Sequence, residues 1–186
     1  MTIFEYLMVL VSIVLGLGVT QALRGLSKIA RSETRYLPVT LWGGFLVYLY
    51  VQAWWAFWDL NAVAVWNQFY FTFIVMIAFS MFAATELLMP MGKRSETNWR
   101  AHYFKVRRWF FATMLTFTVL ATLQSYVLLD VPLTHPYRAY QVTMAAIEIT
   151  GLVTSNPRYQ AWLPTLAISS TLLGQVLFRL FPGLAG

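Results

Sequence analysis

Cysteine is absent from the 186-residue chain, histidine occurs twice, and charged residues make up only 11% of it. Each shortage closes a class of function. Without thiols there are no disulfides, no thiolate nucleophiles and no Cys-ligated zinc or iron–sulfur centres. The two histidines, His102 and His135, fall in connections on opposite sides of the membrane in the threading given below, so neither a bis-histidine haem nor a histidine-rich metal site is expected. No GxSxG, HExxH or Walker-type loop occurs, and Gly16 and Gly18 of GLGVTQ lie inside an apolar run, where they read as packing positions. No catalytic motif, metal site or cofactor is therefore expected.

What the chain has in abundance is apolar surface: 59% of its residues are hydrophobic and 17% aromatic. Soluble domains carry about a quarter charged residues, so this is a membrane composition. The net charge of +6 sits in short clusters between apolar runs. That arrangement suits cytoplasmic loops facing anionic lipid, and a nucleic-acid partner is not expected. The first run, from Thr2, has no basic stretch before it and no small-residue cleavage site after it, so it reads as an anchor and not as a cleaved signal.

A helix needs about 20 apolar residues to cross a hydrocarbon core of about 30 Å. Such runs occur at 3 to 24, 38 to 59, 68 to 90, 108 to 129, 139 to 155 and 163 to 181. They predict an all-α fold: one integral membrane bundle of about six transmembrane helices. Arg24, Lys28, Arg31, Arg35, Lys93, Arg94, Arg100, Lys105, Arg107, Arg108 and Arg158 then share one side, leaving Arg138 and Arg179 on the other. Positive charge favours the inside, which puts both termini outside. Pro38 and Pro164 are expected at the starts of the second and sixth spans, with Pro132, Pro136 and Pro157 in the turns around the fifth. Trp54, Trp55, Trp58 and Trp66 cluster at the outer face and Trp99, Trp109 and Trp162 at the inner, as in an aromatic belt; an aromatic ligand cage is the rival reading. Arg31-Ser32-Glu33-Thr34 recurs as Arg94-Ser95-Glu96-Thr97, a pattern that tandem hairpins or coincidence would produce.

Helical spacing aligns polar and small residues into stripes. These are Gln141, Ala145, Glu148, Gly151 and Ser155 in the fifth span, and Gly44, Tyr48, Gln52, Trp55 and Asp59 in the second. The first span offers Glu5, Ser12, Gly16 and Thr20, the fourth Thr118, Thr122 and Ser125, the sixth Ala167, Thr171, Gly174 and Gln175. Small and hydroxylated residues serve helix contacts in membranes, and that reading covers most of these positions. Glu148 is different. A carboxyl at mid-membrane costs roughly 2.5 to 3.5 kcal/mol on insertion scales, and no Lys or Arg is expected at its depth. It is expected neutral or water-linked, as a proton or cation site, with Gln141, Gln52, Gln124 and Gln175 lining or gating a path. Glu5, Asp59 and Asp130 fall near the outer interface, as an acidic vestibule or as ordinary solvated carboxylates. Glu86 has Arg24 or Lys28 as expected partners.

The N-terminal FEYLMVLVSIVLGLGVTQALRGL followed by VQAWWAFWDL resembles small uncharacterised multi-pass membrane proteins of bacteria, over about the first third of the chain. The resemblance implies a bacterial inner-membrane origin and assigns no residue a role. The Pro-rich, Trp-Tyr motifs of the tryptophan-rich sensory proteins are missing. The expected function is a channel or transporter for a small ion or solute, working as a homo-oligomer or within a larger membrane complex. The alternative is a non-catalytic accessory subunit; a lipid-modifying enzyme would need a motif that is absent.

Overall fold

The computed structural model of the protein describes residues 2–91 and 98–177; the second Arg-Ser-Glu-Thr copy, Lys93 and Arg179 lie outside them. The described residues form six α-helices and no strand: α1 Ile3–Arg31, α2 Leu37–Trp58, α3 Gln68–Leu88, α4 Trp99–Val127, α5 Tyr137–Val153 and α6 Pro157–Gln175. A single 3-10 turn, Asp59–Ala62, follows α2. Helices α1, α3 and α4 are each long and apolar enough to cross a membrane. Helix α2 has 22 residues, among them Trp42, Tyr48, Tyr50, Gln52 and its terminal tryptophans. Helix α5 has only 17 residues, and α6 carries Arg158, Gln160 and Gln175 among 19.

Side-chain caps set where the helices begin. Thr2 and Glu5 form a reciprocal capping box at α1, and Asn67, Asn98 and Asn156 each accept a backbone N–H at the starts of α3, α4 and α6. Two of these caps move the expected boundaries. Asn98 starts α4 at Trp99, not at 108, so Arg100, Lys105, Arg107 and Arg108 are helical and His102 lies on a helix, not in a connection. Asn156 and Pro157 start α6 ahead of 163, which leaves Pro164 inside the helix rather than at its first turn. The Gln160 carbonyl therefore lacks its intrahelical N–H partner. Helix α1 also continues to Arg31, placing Arg24 and Lys28 on the helix.

Successive helices alternate in direction. Tyr6 stacks on Phe71 at 6.1 Å near the starts of α1 and α3, which run parallel. Gly18 and Gly43 bring the reversed α2 against them. His102, early in α4, approaches the Leu87 carbonyl late in α3 at 3.1 Å. Around the bundle the order is α1, α3, α4, α5, α6, α2 and back to α1, with α2 also reaching α3 and α4. One end carries the α2–α3 and α4–α5 connections and is called here the Asp130 end; the other is the Arg35 end.

Close approach decides which face of α1 is buried. The Tyr50 ring occupies the space a Cβ at Gly18 would need, and its hydroxyl pairs with Thr85 Oγ1 at 2.8 Å. Leu7, Val11, Gln21 and Gly25 share that face. The stripe Glu5, Ser12, Gly16 and Thr20 consequently lies toward the outside of the bundle, with Gly16 and Thr20 exposed. In α2, Gly44, Trp55 and Asp59 of the expected stripe are likewise exposed. Glu86 receives a hydrogen bond from Gln21 of α1, which also donates to the Met89 carbonyl at 3.1 Å. Its partner is thus the glutamine, and among the described residues no ion pair joins it to Arg24 or Lys28.

Candidate functional site

Helix α5 is short, and both of its ends are held by buried arginines from the basic set. At the Asp130 end Arg138 is 8% exposed. It donates to Ser125 Oγ at 2.6 Å, to Gln141 Oε1 at 2.7 Å and to the Val131, Pro132 and Thr122 carbonyls. At the Arg35 end Arg107 of α4 donates to the carbonyls of Gly151, Leu152 and Thr154 at 2.8, 3.0 and 2.6 Å. Gln160 of α6 donates to two of the same carbonyls, Gly151 and Thr154, while accepting from the Tyr103 hydroxyl. The unpaired carbonyls that end every helix are thereby satisfied away from water. Both arginines were expected in loops; both are structural.

Between these clamps lies Glu148, with no accessible surface. Thr118 of α4 donates to its Oε1 at 2.8 Å. Its Oε2 has no hydrogen-bond partner. Arg138 stands ten residues earlier on the same helix, about 15 Å away along the axis, beyond ion-pair reach. An unsatisfied carboxylate oxygen in an interior is costly and calls for a partner.

The space it faces is a cavity of about 120 Å³ walled by α2, α4, α5 and α6. Leu49, Met114, Phe117 and Met144 make it mostly apolar, and the polar groups that converge on it are Gln52, Thr118, Tyr140, Gln141, Glu148, Thr171 and Gln175. About 10–15 Å³ of such space holds one water, so there is room for several. Tyr140 pairs with Thr171 Oγ1 at 3.2 Å across α5 and α6, and Gln52 donates to the Tyr48 hydroxyl at 2.6 Å.

A second cavity, of about 260 Å³, lies toward the Asp130 end and is lined by Asp59, Gln124, Ser125, His135 and Gln141 among others. The two spaces share Ala56, Ala121, Tyr137 and Gln141. Toward the Arg35 end aromatic side chains pack between the helices. Phe111 occupies the space in front of Gly151, and Trp42 packs edge-on against Phe110 and Phe111 at 5.5 and 5.4 Å.

The structure thus brings four residues singled out in the sequence, Glu148, Gln141, Gln52 and Gln175, to one cavity, and puts Gln124 in the adjoining one. Ser155 of the α5 stripe falls beyond the helix and is exposed. Glu5, Asp59 and Asp130 stand in different local settings. Glu5 caps its own helix, Asp59 borders the second cavity, and Asp130 occupies a turn at φ 51°. Among the described residues no three His, Asp or Glu side chains gather as metal ligands would. Arg107 and Gln160 matter to the site in ways that composition and spacing do not single out, whereas Thr118 belongs to the stripe that spacing marks in the fourth span. Comparison with protein-family models, curated proteins and solved structures finds no match to the chain.

Proposed function

We propose that the chain is a multi-pass protein of the bacterial inner membrane, six spans with both termini outside, that moves a small ion or solute past Glu148. The observation that carries this is the fully buried Glu148, its Oε2 unpartnered, among the residues that line a cavity. A carboxylate kept at such cost inside a membrane helix is a functional site by default. The neighbouring cavity supports a path from the outer side by way of Gln141 and Gln124. The Trp42, Phe110 and Phe111 layer blocks the other side, which favours a transporter with alternating access over an open channel. Helix α2, at 22 residues, spans about 33 Å, and α5, at 17, about 26 Å, so six crossings are geometrically reasonable.

The test is flux in liposomes holding the purified protein, read with a trapped pH dye for protons and with radiolabelled sodium or rubidium for monovalent cations. Glu148→Gln keeps the shape and the acceptor for Thr118, and it should reduce flux at least about tenfold. Unchanged flux ends the proposal.

A second reading, a non-catalytic subunit of a larger membrane complex, is favoured by Gly16 and Gly44. Both are exposed, with nothing within 4 Å of where a Cβ would stand. Small residues on a membrane-facing surface let another helix approach closely. That reading expects larger partners to copurify and the isolated chain to lose stability; the transporter reading expects a stable homo-oligomer.

A further inference from the structure

We propose that the Glu148 cavity also opens sideways to the bilayer, through the groove between α1, α2 and α6, and that its ligand is a cationic amphiphile with its ammonium head on Glu148 and its tail in the groove. The proposal rests on the reading of Glu148 as a binding carboxylate and names the class of molecule it would take.

The groove measures about 700 Å³ and is lined by Leu15, Val19, Val51 and Trp55, with Gly16 leaving it open on the α1 side. Two residues line both this groove and the Glu148 cavity: Gln52 of α2 and Gln175 of α6. Their amide side chains are the threshold between hydrocarbon and carboxylate. Two amides at the edge of an apolar groove suit a ligand whose polar head must pass them and whose tail need not.

Size and charge then narrow the ligand. The inner cavity, about 120 Å³, is smaller than the 300 to about 1,000 Å³ usual for small-molecule sites, so a ligand that fills it alone is a head group. The groove supplies the remaining volume, and its lining suits an alkyl chain. Glu148 Oε2 has no partner; when the carboxyl is ionised that oxygen needs a hydrogen-bond donor, and a donor that brings positive charge offsets the cost of ionisation at that depth. Tyr137 and Tyr140 line the same cavity, and aromatic rings attract a cation that reaches their faces. A fatty acid head would set two carboxyls against each other, and an alcohol would leave the charge uncompensated.

The experiment is photolabelling in lipid nanodiscs with a long-chain primary amine carrying a diazirine in its tail, followed by peptide mapping. Adducts are expected in the segments around Leu15–Val19 and Val51–Trp55, competed by dodecylamine and not by dodecanoate. Glu148→Gln and Gly16→Trp, the second filling the groove, should each reduce this labelling about tenfold, the loss expected for one charge-assisted contact or a blocked tail site. Val19→Trp serves as an independent plug should Gly16→Trp fail to fold. Equal labelling of wild type and Glu148→Gln means simple partition of the amine into lipid and overturns the proposal. Labelling that needs Glu148 but ignores both plugs overturns the lateral route. Flux of small cations through the same proteins separates the two ideas: flux lost in Glu148→Gln with labelling unchanged removes the amphiphile and keeps the carboxylate path, whereas neither changing removes both.

Discussion

Thr118 Oγ1 lies 2.8 Å from Glu148 Oε1 and donates to it, and the other oxygen of the same carboxyl goes without a partner. The pair ties α4 to α5 at the depth of the cavity. Thr118→Val keeps the shape and removes the donor. It should lower stability by about 0.6 kcal/mol, the average for hydrogen bonds between membrane helices, and by at most about 1.7 kcal/mol. Unfolding in detergent reads this, and in a Glu148→Leu background the cost should vanish. A cost that persists there would mean that Thr118 serves something other than Glu148.

Gly151 has the Phe111 ring where a Cβ would be. Gly151→Ala should therefore cost about 1 to 3 kcal/mol through overpacking. Phe111→Leu in the same chain should recover most of it. Absence of rescue would show that the glycine is needed for another reason.

Among the described residues Arg107 is the single partner of the Leu152 carbonyl, and it shares Gly151 and Thr154 with Gln160. Arg107→Met is expected to cost about 1 to 3 kcal/mol, the penalty of one buried group left unmade. The exposed neighbour Arg108 should tolerate Gln within about 0.5 kcal/mol. Equal effects at the two positions would sink the distinction between clamp and surface charge.

The lack of cysteine in the sequence makes topology easy to read. Single cysteines at Thr134, in the α4–α5 connection, should react with an impermeant maleimide in intact cells. Cysteines at Glu33 and Ser155 should react only after permeabilisation. The reverse pattern would invert the threading, and labelling of all three from one side would end the six-span arrangement.

Apolar runs and their periodicity made the helices legible, because both follow from local composition. Helix starts were less so: Asn98 and Asn156 cap α4 and α6 several residues ahead of the apolar runs, and hydropathy does not tell a capping asparagine from any other polar residue. Glu148 stood out because a charge inside an apolar run is conspicuous wherever it points, and Gln141 follows from it by helical spacing. Arg107 and Arg138 misled, since a basic residue beside a span looks the same whether it meets a lipid headgroup or a neighbour's carbonyls. That choice is made by the neighbours: Arg107 of α4 meets the last carbonyls of α5, and Arg138, in the first turn of α5, meets α4 and the connection after it. Which stripe of α1 turned inward also depended on a partner, Tyr50, that no pattern within α1 contains.

The clamp on the last turn of α5 has a bearing on biogenesis. Its carbonyls are completed by Arg107, which the ribosome has already delivered, and by Gln160, which it has not. On the six-span proposal α5, at 17 residues, is also short for a segment lodging in a bilayer by itself. Helix α5 should thus wait at the translocon until α6 emerges, the two entering as a hairpin. A chain truncated after Ser155 and carrying a glycosylation reporter should leave α5 unlodged, and extension through Gln175 should restore it.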